Sequence, residues 1–182
     1  MKKDSPKVLL HACCGICSSF PVEKLREDGY EPVVYFYNPN IFPETEYQKR
    51  LSAQKKLCES LRCELVVGEY NQEVFEKASF GLENEPERGK RCEKCFELRL
   101  FESATKAKEL EIEYFTTSIV ISPHKNLELI ASIGDSIAKN IGVEYLNINF
   151  RKQDGLLKTN KIANDLNLYR QDYCGCKYSI RS

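Results

Sequence analysis

The sequence predicts one α/β domain with a parallel sheet and an irregular, cysteine-bearing C-terminal tail. Short apolar runs alternate with longer amphipathic stretches, the pattern of strands joined by right-handed helical crossovers. The 182 residues suit a single hydrophobic core. No internal repeat, low-complexity stretch or linker divides them, so residues 1–182 are read as one domain.

Residues 7–12 read as a buried strand. Ser18 or Ser19 can cap the next helix, with Pro21 in its first turn and Gly29 at its end. Residues 32–37 (PVVYFY) form a second strand, stopped by Asn38-Pro39-Asn40. Pro43 opens a long helix in which Tyr47, Leu51, Gln54, Cys58 and Leu61 recur at helical spacing. Residues 64–67 are a third strand, 72–77 a short helix, 81–90 a polar loop and 91–110 a helix. Residues 114–121 (YFTTSIVI) make a fourth strand, closed by Ser122-Pro123-His124. A helix over 127–141 is followed by Gly142 and a fifth strand over 143–148. The tail is expected to be helical over 161–168 and irregular beyond.

Sheets of this kind bind ligands beyond the carboxyl ends of their strands, near the point where strand order reverses. Cys13 and Cys14 follow the first strand, Asn38 and Asn40 the second, and Ser122 and His124 the fourth. A site is expected there.

Hydrophobic residues make up 42% and charged residues 30% of the chain, an ordinary globular balance. The apolar run at 8–10 is too short for a signal core or a membrane span, so the expectation is a cytoplasmic protein with no membrane partner. Nine cysteines, an odd number, argue against a secreted disulfide framework. Net charge is zero, but residues 151–182 hold seven Lys or Arg against three Asp. That tail reads either as a phosphate-binding surface or as a solvated helical face.

Seven cysteines fall in three groups: Cys13-Cys14-Gly15-Ile16-Cys17, Cys92-Glu93-Lys94-Cys95 and Cys174-Gly175-Cys176. The first lies at a strand-to-helix turn, where free N–H groups and the helix dipole favour thiolates as ligands or nucleophiles, and Gly15 permits unusual backbone angles. The second opens a helix among Arg88, Lys90, Arg91 and Lys94. With only two histidines and an adjacent Cys-Cys that makes a poor zinc knuckle, iron–sulfur is favoured over zinc. A cubane needs four thiolates, and Cys13, Cys14, Cys92 and Cys95 would supply them, with Cys17 a further candidate ligand. Cys174 and Cys176 can close only a strained, easily reduced disulfide, which suits electron transfer; holding a second metal ion is the alternative. Cys58 and Cys63 read as small buried residues. His11 either faces the site or packs, and His124 is a candidate proton donor. Asp172, Tyr173 and Tyr169 flank the last pair and can donate a proton or stack on a base. No Gly-rich phosphate loop, Walker lysine or serine–histidine–acid arrangement is present. These features leave open an iron–sulfur redox enzyme, a non-enzymatic iron- or zinc-binding sensor, and a general thiol–disulfide oxidoreductase.

Taken in order, His11-Ala12-Cys13-Cys14-Gly15-Ile16-Cys17-Ser18, Tyr37-Asn38-Pro39-Asn40-Ile41, Arg91-Cys92-Glu93-Lys94-Cys95-Phe96, Thr116-Thr117-Ser118, Ser122-Pro123-His124-Lys125 and Tyr169-Arg170-Gln171-Asp172-Tyr173-Cys174-Gly175-Cys176 resemble the QueH-type epoxyqueuosine reductases across nearly the whole chain. That family more often shows Ala-Pro where this chain has Gly15-Ile16. The resemblance implies a Rossmann-like (HUP-like) sheet and reduction of epoxyqueuosine to queuosine at the wobble position of tRNA, the final, cobalamin-free step of queuosine biosynthesis. It implies a 4Fe-4S cluster on Cys13, Cys14, Cys92 and Cys95, with or without an additional mononuclear iron. It makes Cys174 and Cys176 the redox-active pair. The partners implied are the tRNA anticodon loop carrying epoxyqueuosine and an electron donor of undefined identity.

Overall fold

The computed structural model describes residues 5–180. The single-domain reading and the basic tail therefore extend past it, at residues 1–4 and 181–182, the latter including Arg181. Five parallel strands, β1 (Lys7–His11), β2 (Glu31–Phe36), β3 (Glu64–Val67), β4 (Tyr114–Thr117) and β5 (Glu144–Tyr145), form a sheet in the order β3-β2-β1-β4-β5. The helices are α1 (Gly15–Glu27), α2 (Glu44–Leu61), α3 (Gln72–Ala78), α4 (Lys90–Glu109), α5 (Leu127–Ile141) and α6 (Gly155–Asp165). Strand order reverses at β1, so right-handed crossovers put helices on both faces. Accordingly α1 packs with α2 and α6, while α4 packs with α3 and α5. Between them Leu9, Leu10, Val34, Phe36 and Phe115 are buried to 2% exposure or less.

Four elements differ from expectation. The first helix starts at Gly15, not at a serine cap: extended Cys14 is the N-cap, and its thiol accepts the Cys17 N–H at 3.3 Å. Ser18 instead bonds back to the Cys14 carbonyl at 3.0 Å, and Pro21 lies inside the helix. The fourth strand stops at Thr117, whose hydroxyl accepts the Ile119 N–H and turns the chain into a 3-10 turn over Ser118–Ile121. The last helix spans Gly155–Asp165 and ends before Leu168, because Asn167 takes a left-handed conformation (φ 47°). The fifth strand also shrinks to two residues, with Leu146 held to β4 by one backbone bond and the Thr116 hydroxyl.

Gly15 is needed for close approach rather than for unusual angles. A Cβ there would stand 2.8 Å from the Ala53 carbonyl oxygen, so α1 begins pressed against the middle of α2.

Candidate active site

The switch point at β1 and β4 opens into a cavity of about 340 Å³. Cys13, Cys17, Arg50, Arg99, Lys125 and Cys174 line it, with Asp172, Tyr173 and His124. A site was expected at these strand ends, and the structure has one there.

The base of the cavity is fixed by His11, which packs rather than facing the site. Its imidazole is fully buried between the Tyr37 carbonyl (Nε2, 3.0 Å) and the Thr117 hydroxyl (Nδ1, 3.0 Å). Nε2 therefore carries the proton and Nδ1 accepts from Thr117. Burial holds the ring pKa down to about 4, so the neutral ring straps the ends of β1, β2 and β4.

The thiols of Cys13, Cys14 and Cys17 lie within 4.8 Å of one another. Hydrogen bonds from Cys14 and Cys17 hold the Cys13 thiol well below its ordinary range, with Arg99 and His11 adding to the effect. The Cys13 contact pushes Cys14 up to about 12, and the contacts with Cys13 and Cys14, together with burial, hold Cys17 well above its ordinary range. One negative charge thus rests on Cys13, shared with two protonated neighbours. Ser118 supports the turn, accepting the Cys13 N–H at 3.3 Å. Gln171 of the tail donates to the Cys14 sulfur at 3.0 Å.

Cys92 and Cys95 sit on the first turns of α4. The Arg88 N–H donates to the Cys92 sulfur at 3.2 Å, while burial raises both thiols, Cys95 to about 12. Both also feel the Cys174 and Cys176 sulfurs, so the four thiols lie within electrostatic reach of one another, although only Cys174 of them lines the cavity. Cys95 and Cys176 share a buried cluster with Phe75. Cys17, which spacing left unassigned, joins the first pair directly.

Three cations that spacing did not single out as site groups organise the cavity. Lys125 donates to the Cys174 sulfur at 3.2 Å. Burial would lower Lys125, but the Cys174 charge and that bond outweigh it. Arg99 is 4% exposed and bonds the Cys95 carbonyl through Nε at 3.2 Å. No carboxylate pairs with it among the described residues; interaction with the Cys95, Cys174 and Cys13 sulfurs overcomes its burial cost and keeps its pKa raised. A buried cation without an acid partner calls for negative charge in the cavity. Arg50 grips the tail, donating to the Cys174 and Tyr173 carbonyls at 3.0 Å each and pairing with buried Glu46 at 2.7 Å. Lys125 is visible in the sequence only as a motif neighbour of His124. Arg50 and Arg99 sit at ordinary helical positions, and only folding across more than a hundred residues gives Arg50 its role.

The tail thiols turn on Gly175, whose φ of 129° suits glycine alone and whose carbonyl accepts the Phe42 N–H at 2.8 Å. Tyr173 donates its hydroxyl to the Phe42 carbonyl and stacks on Arg50. Asp172 is exposed at the mouth. His124 accepts at Nδ1 from Arg88 at 3.3 Å, which leaves its proton on Nε2. Tyr169 donates to Glu46 at 2.6 Å, so it braces the clasp. The tail's charge is largely occupied: Arg151 bonds the Val120, Ser122 and Lys125 carbonyls, Arg170 bonds Asn160 and Asn164, and Lys161 and Lys177 pair with Asp165 and Glu76. The cations facing the cavity come from α2, α4 and the loop after β4 instead.

The donor set fits an iron–sulfur centre. Three thiols converge within 4.8 Å, the buried Arg99 guanidinium feels the Cys13, Cys95 and Cys174 sulfurs, and both ring nitrogens of His11 are already hydrogen-bonded. Among the described residues no helix is long and apolar enough to cross a membrane.

Residues 8–182 match the family model of the epoxyqueuosine reductase QueH. The chain is 36% identical to the epoxyqueuosine reductase QueH of Staphylococcus epidermidis, covering 97% of this chain and 77% of that one. It is likewise 36% identical to the protein of that name from Dehalococcoides mccartyi, covering 96% and 93%, and 34% identical to that of Streptococcus pyogenes, covering 97% and 71%. Two solved structures share the fold: a protein described as a predicted subunit of tRNA methyltransferase from Methanocaldococcus jannaschii (TM-score 0.60, 17% identity, 88% of this chain and 76% of that one), and the U34-tRNA thiolase NcsA from Methanococcus maripaludis with its [4Fe-4S] cluster (TM-score 0.59, 16% identity, 99% and 63%).

Proposed function

The chain belongs to the epoxyqueuosine reductase QueH family, and from that premise we propose that it is a single-domain oxidoreductase that removes the epoxide oxygen of epoxyqueuosine at the wobble position of tRNA. The observation that carries this reading is the convergence of Cys13 and Cys17 of the thiol triad, Cys174 of the tail and the buried cations Arg50 and Arg99 in one cavity. Turning an epoxide into an alkene and water consumes two electrons and two protons. A 4Fe-4S cluster bound through Cys13, Cys14, Cys92 and Cys95 would supply electrons one at a time. Cys17 is left as a spare thiol beside that set, a candidate ligand for an additional mononuclear iron.

Cys174 and Cys176 supply a second two-electron store, passing from dithiol to small-ring disulfide with release of two protons. Lys125 donates to the Cys174 sulfur and orients it at the cavity wall. Arg99 offsets negative charge in the cavity as electrons arrive and the oxygen leaves. Asp172 and His124, facing the cavity, carry the proton to that oxygen, whereas Tyr173 is tied to Phe42 and serves the wall. Gln171, whose buried Oε1 has no partner among the described residues, is placed to accept from the base. An electron donor regenerates the dithiol.

The test is an anaerobic assay of reconstituted protein on tRNA carrying epoxyqueuosine, with product nucleosides identified by mass. Conversion to queuosine is expected; none from protein with a full cluster complement overturns the proposal.

A further inference from the structure

Two cysteines lie outside the cavity, and the proposed reaction uses neither. Cys58 and Cys63 bracket the end of α2, where Arg62 adopts the left-handed conformation (φ 50°, ψ 50°). The Cys63 N–H closes on the Cys58 carbonyl at 3.0 Å, and the Arg62 N–H on the Glu59 carbonyl at 3.2 Å. This is a Schellman ending, whose geometry brings the side chains of those two positions into contact. Usually that contact is between two apolar groups; here it is between two thiols. Each is the largest influence on the other: Cys63 lowers the Cys58 thiol, and Cys58 raises that of Cys63. Cys58 is 3% exposed, whereas Cys63 is half-buried and reachable from solvent. The Arg26 guanidinium caps the same helix end through the Leu61 and Arg62 carbonyls and favours charge on Cys63.

This pair is connected to the cavity. Gln54 donates to the Cys58 sulfur at 3.4 Å and accepts from Ser18 at 2.8 Å. Ser18 also bonds the Cys14 carbonyl at 3.0 Å, on the turn that carries the thiol triad. All three are buried where Gly15 meets Ala53.

We infer that Cys58 and Cys63 are a second redox-active dithiol, oxidised to an intramolecular disulfide by small-molecule disulfides, and that its state is felt at the Cys14 turn through Gln54 and Ser18. The half-buried Cys63 sulfur, losing its proton as it reacts, attacks one sulfur of the small disulfide and releases one small thiolate. The thiolate of Cys58 then attacks the Cys63 sulfur of the mixed disulfide and releases the second. The two protons lost from the protein thiols pass to the released thiolates. Two protein thiols and one small disulfide thus become one protein disulfide and two small thiols. Drawing the Cys58 sulfur toward Cys63 takes it away from Gln54, leaving the Gln54 amide to find another acceptor.

The inference does not depend on the tRNA reaction and is tested without it. The full chain carrying Cys174→Ser and Cys176→Ser is incubated anaerobically in buffers of oxidised and reduced glutathione, quenched by alkylation and mapped by mass spectrometry. A peptide linked through Cys58 and Cys63, absent when Cys58 is also changed to Ser, is expected. Persistent alkylation of both thiols at every ratio, or glutathione left on Cys63 without linkage, overturns the inference. Amide exchange at Ser18, compared between the linked and reduced forms, reads the coupling. An acceleration of about 10-fold is expected, and equal rates would sever the pair from the site.

Discussion

The β1–α1 wall of the cavity and its tail wall carry the same chemistry on unlike supports. The Cys13-Cys14-Cys17 wall is an extension of the core: a central strand feeds it, His11 straps it to β2 and β4, and Ser18, Gln54 and Ser118 hold its turn. The Cys174-Cys176 wall has little regular structure and hangs on a clasp. Arg50 holds two consecutive carbonyls, Glu46 holds Arg50 and is itself held by Tyr169, and Gly175 takes a single bond from Phe42. A group that keeps metal geometry gains from the first kind of support. A dithiol that must make and break a bond, and meet a donor, gains from the second, because a few hydrogen bonds open at less cost than a packed core.

The sharpest way to separate the two walls is Cys174→Ser. Turnover should fall to background while the visible absorbance of a reconstituted cluster persists. Full single-turnover activity in that variant would remove the dithiol's role. Next comes Arg50→Ala, which leaves Glu46 buried without its partner and should cost about 3–5 kcal/mol in denaturant melts. Proteolysis near residue 173 should rise much more than near residue 17; equal sensitivity at both would mean that the walls are not supported differently.

The rigid wall has its own test in acid. His11 stays neutral in the fold down to a pKa of about 4, whereas in the unfolded chain it protonates near 6.5. Its contribution is therefore complete above pH 6.5 and is lost as pH falls toward 4, about 3 kcal/mol in all. His11→Gln should flatten that part of the stability profile, and an unchanged slope would assign it to other groups. The smallest effect is expected from Lys125→Met: alkylation of Cys174 at neutral pH should slow by about 5- to 10-fold with little change in melting. An unchanged rate would show that the Lys125 bond does not govern the reactivity of that sulfur.

Elements with local signals were legible in the sequence. The third strand and the helix over Leu127–Ile141 fall where hydrophobic pattern and capping put them. The start of α1 was not legible, because a cysteine does the capping normally read from a serine. The fifth strand contracted because an edge strand needs only one partner, and the chain left β4 after two pairs. Spacing grouped the seven site thiols and divided them between a cluster and a redox pair, and the family resemblance named the substrate. The cations that charge those thiols were hidden, since Arg50 and Arg99 look like ordinary polar positions of α2 and α4. Their meaning lies in contacts such as the one from Arg50 to Cys174, far apart in the chain.

Strand order carries a consequence in time. The strand that bears the triad is central, yet its neighbour on one side, β4, begins at Tyr114, and the covering tail comes later still. At roughly 5–20 residues per second, Cys174 is synthesised about 8–32 s after Cys13. During that interval the triad exists without β4, without the Arg99 charge for part of it, and without a lid. A nascent chain therefore presents its most reactive thiols before it owns the cavity that protects them, and metal delivered early would meet an open, half-charged site.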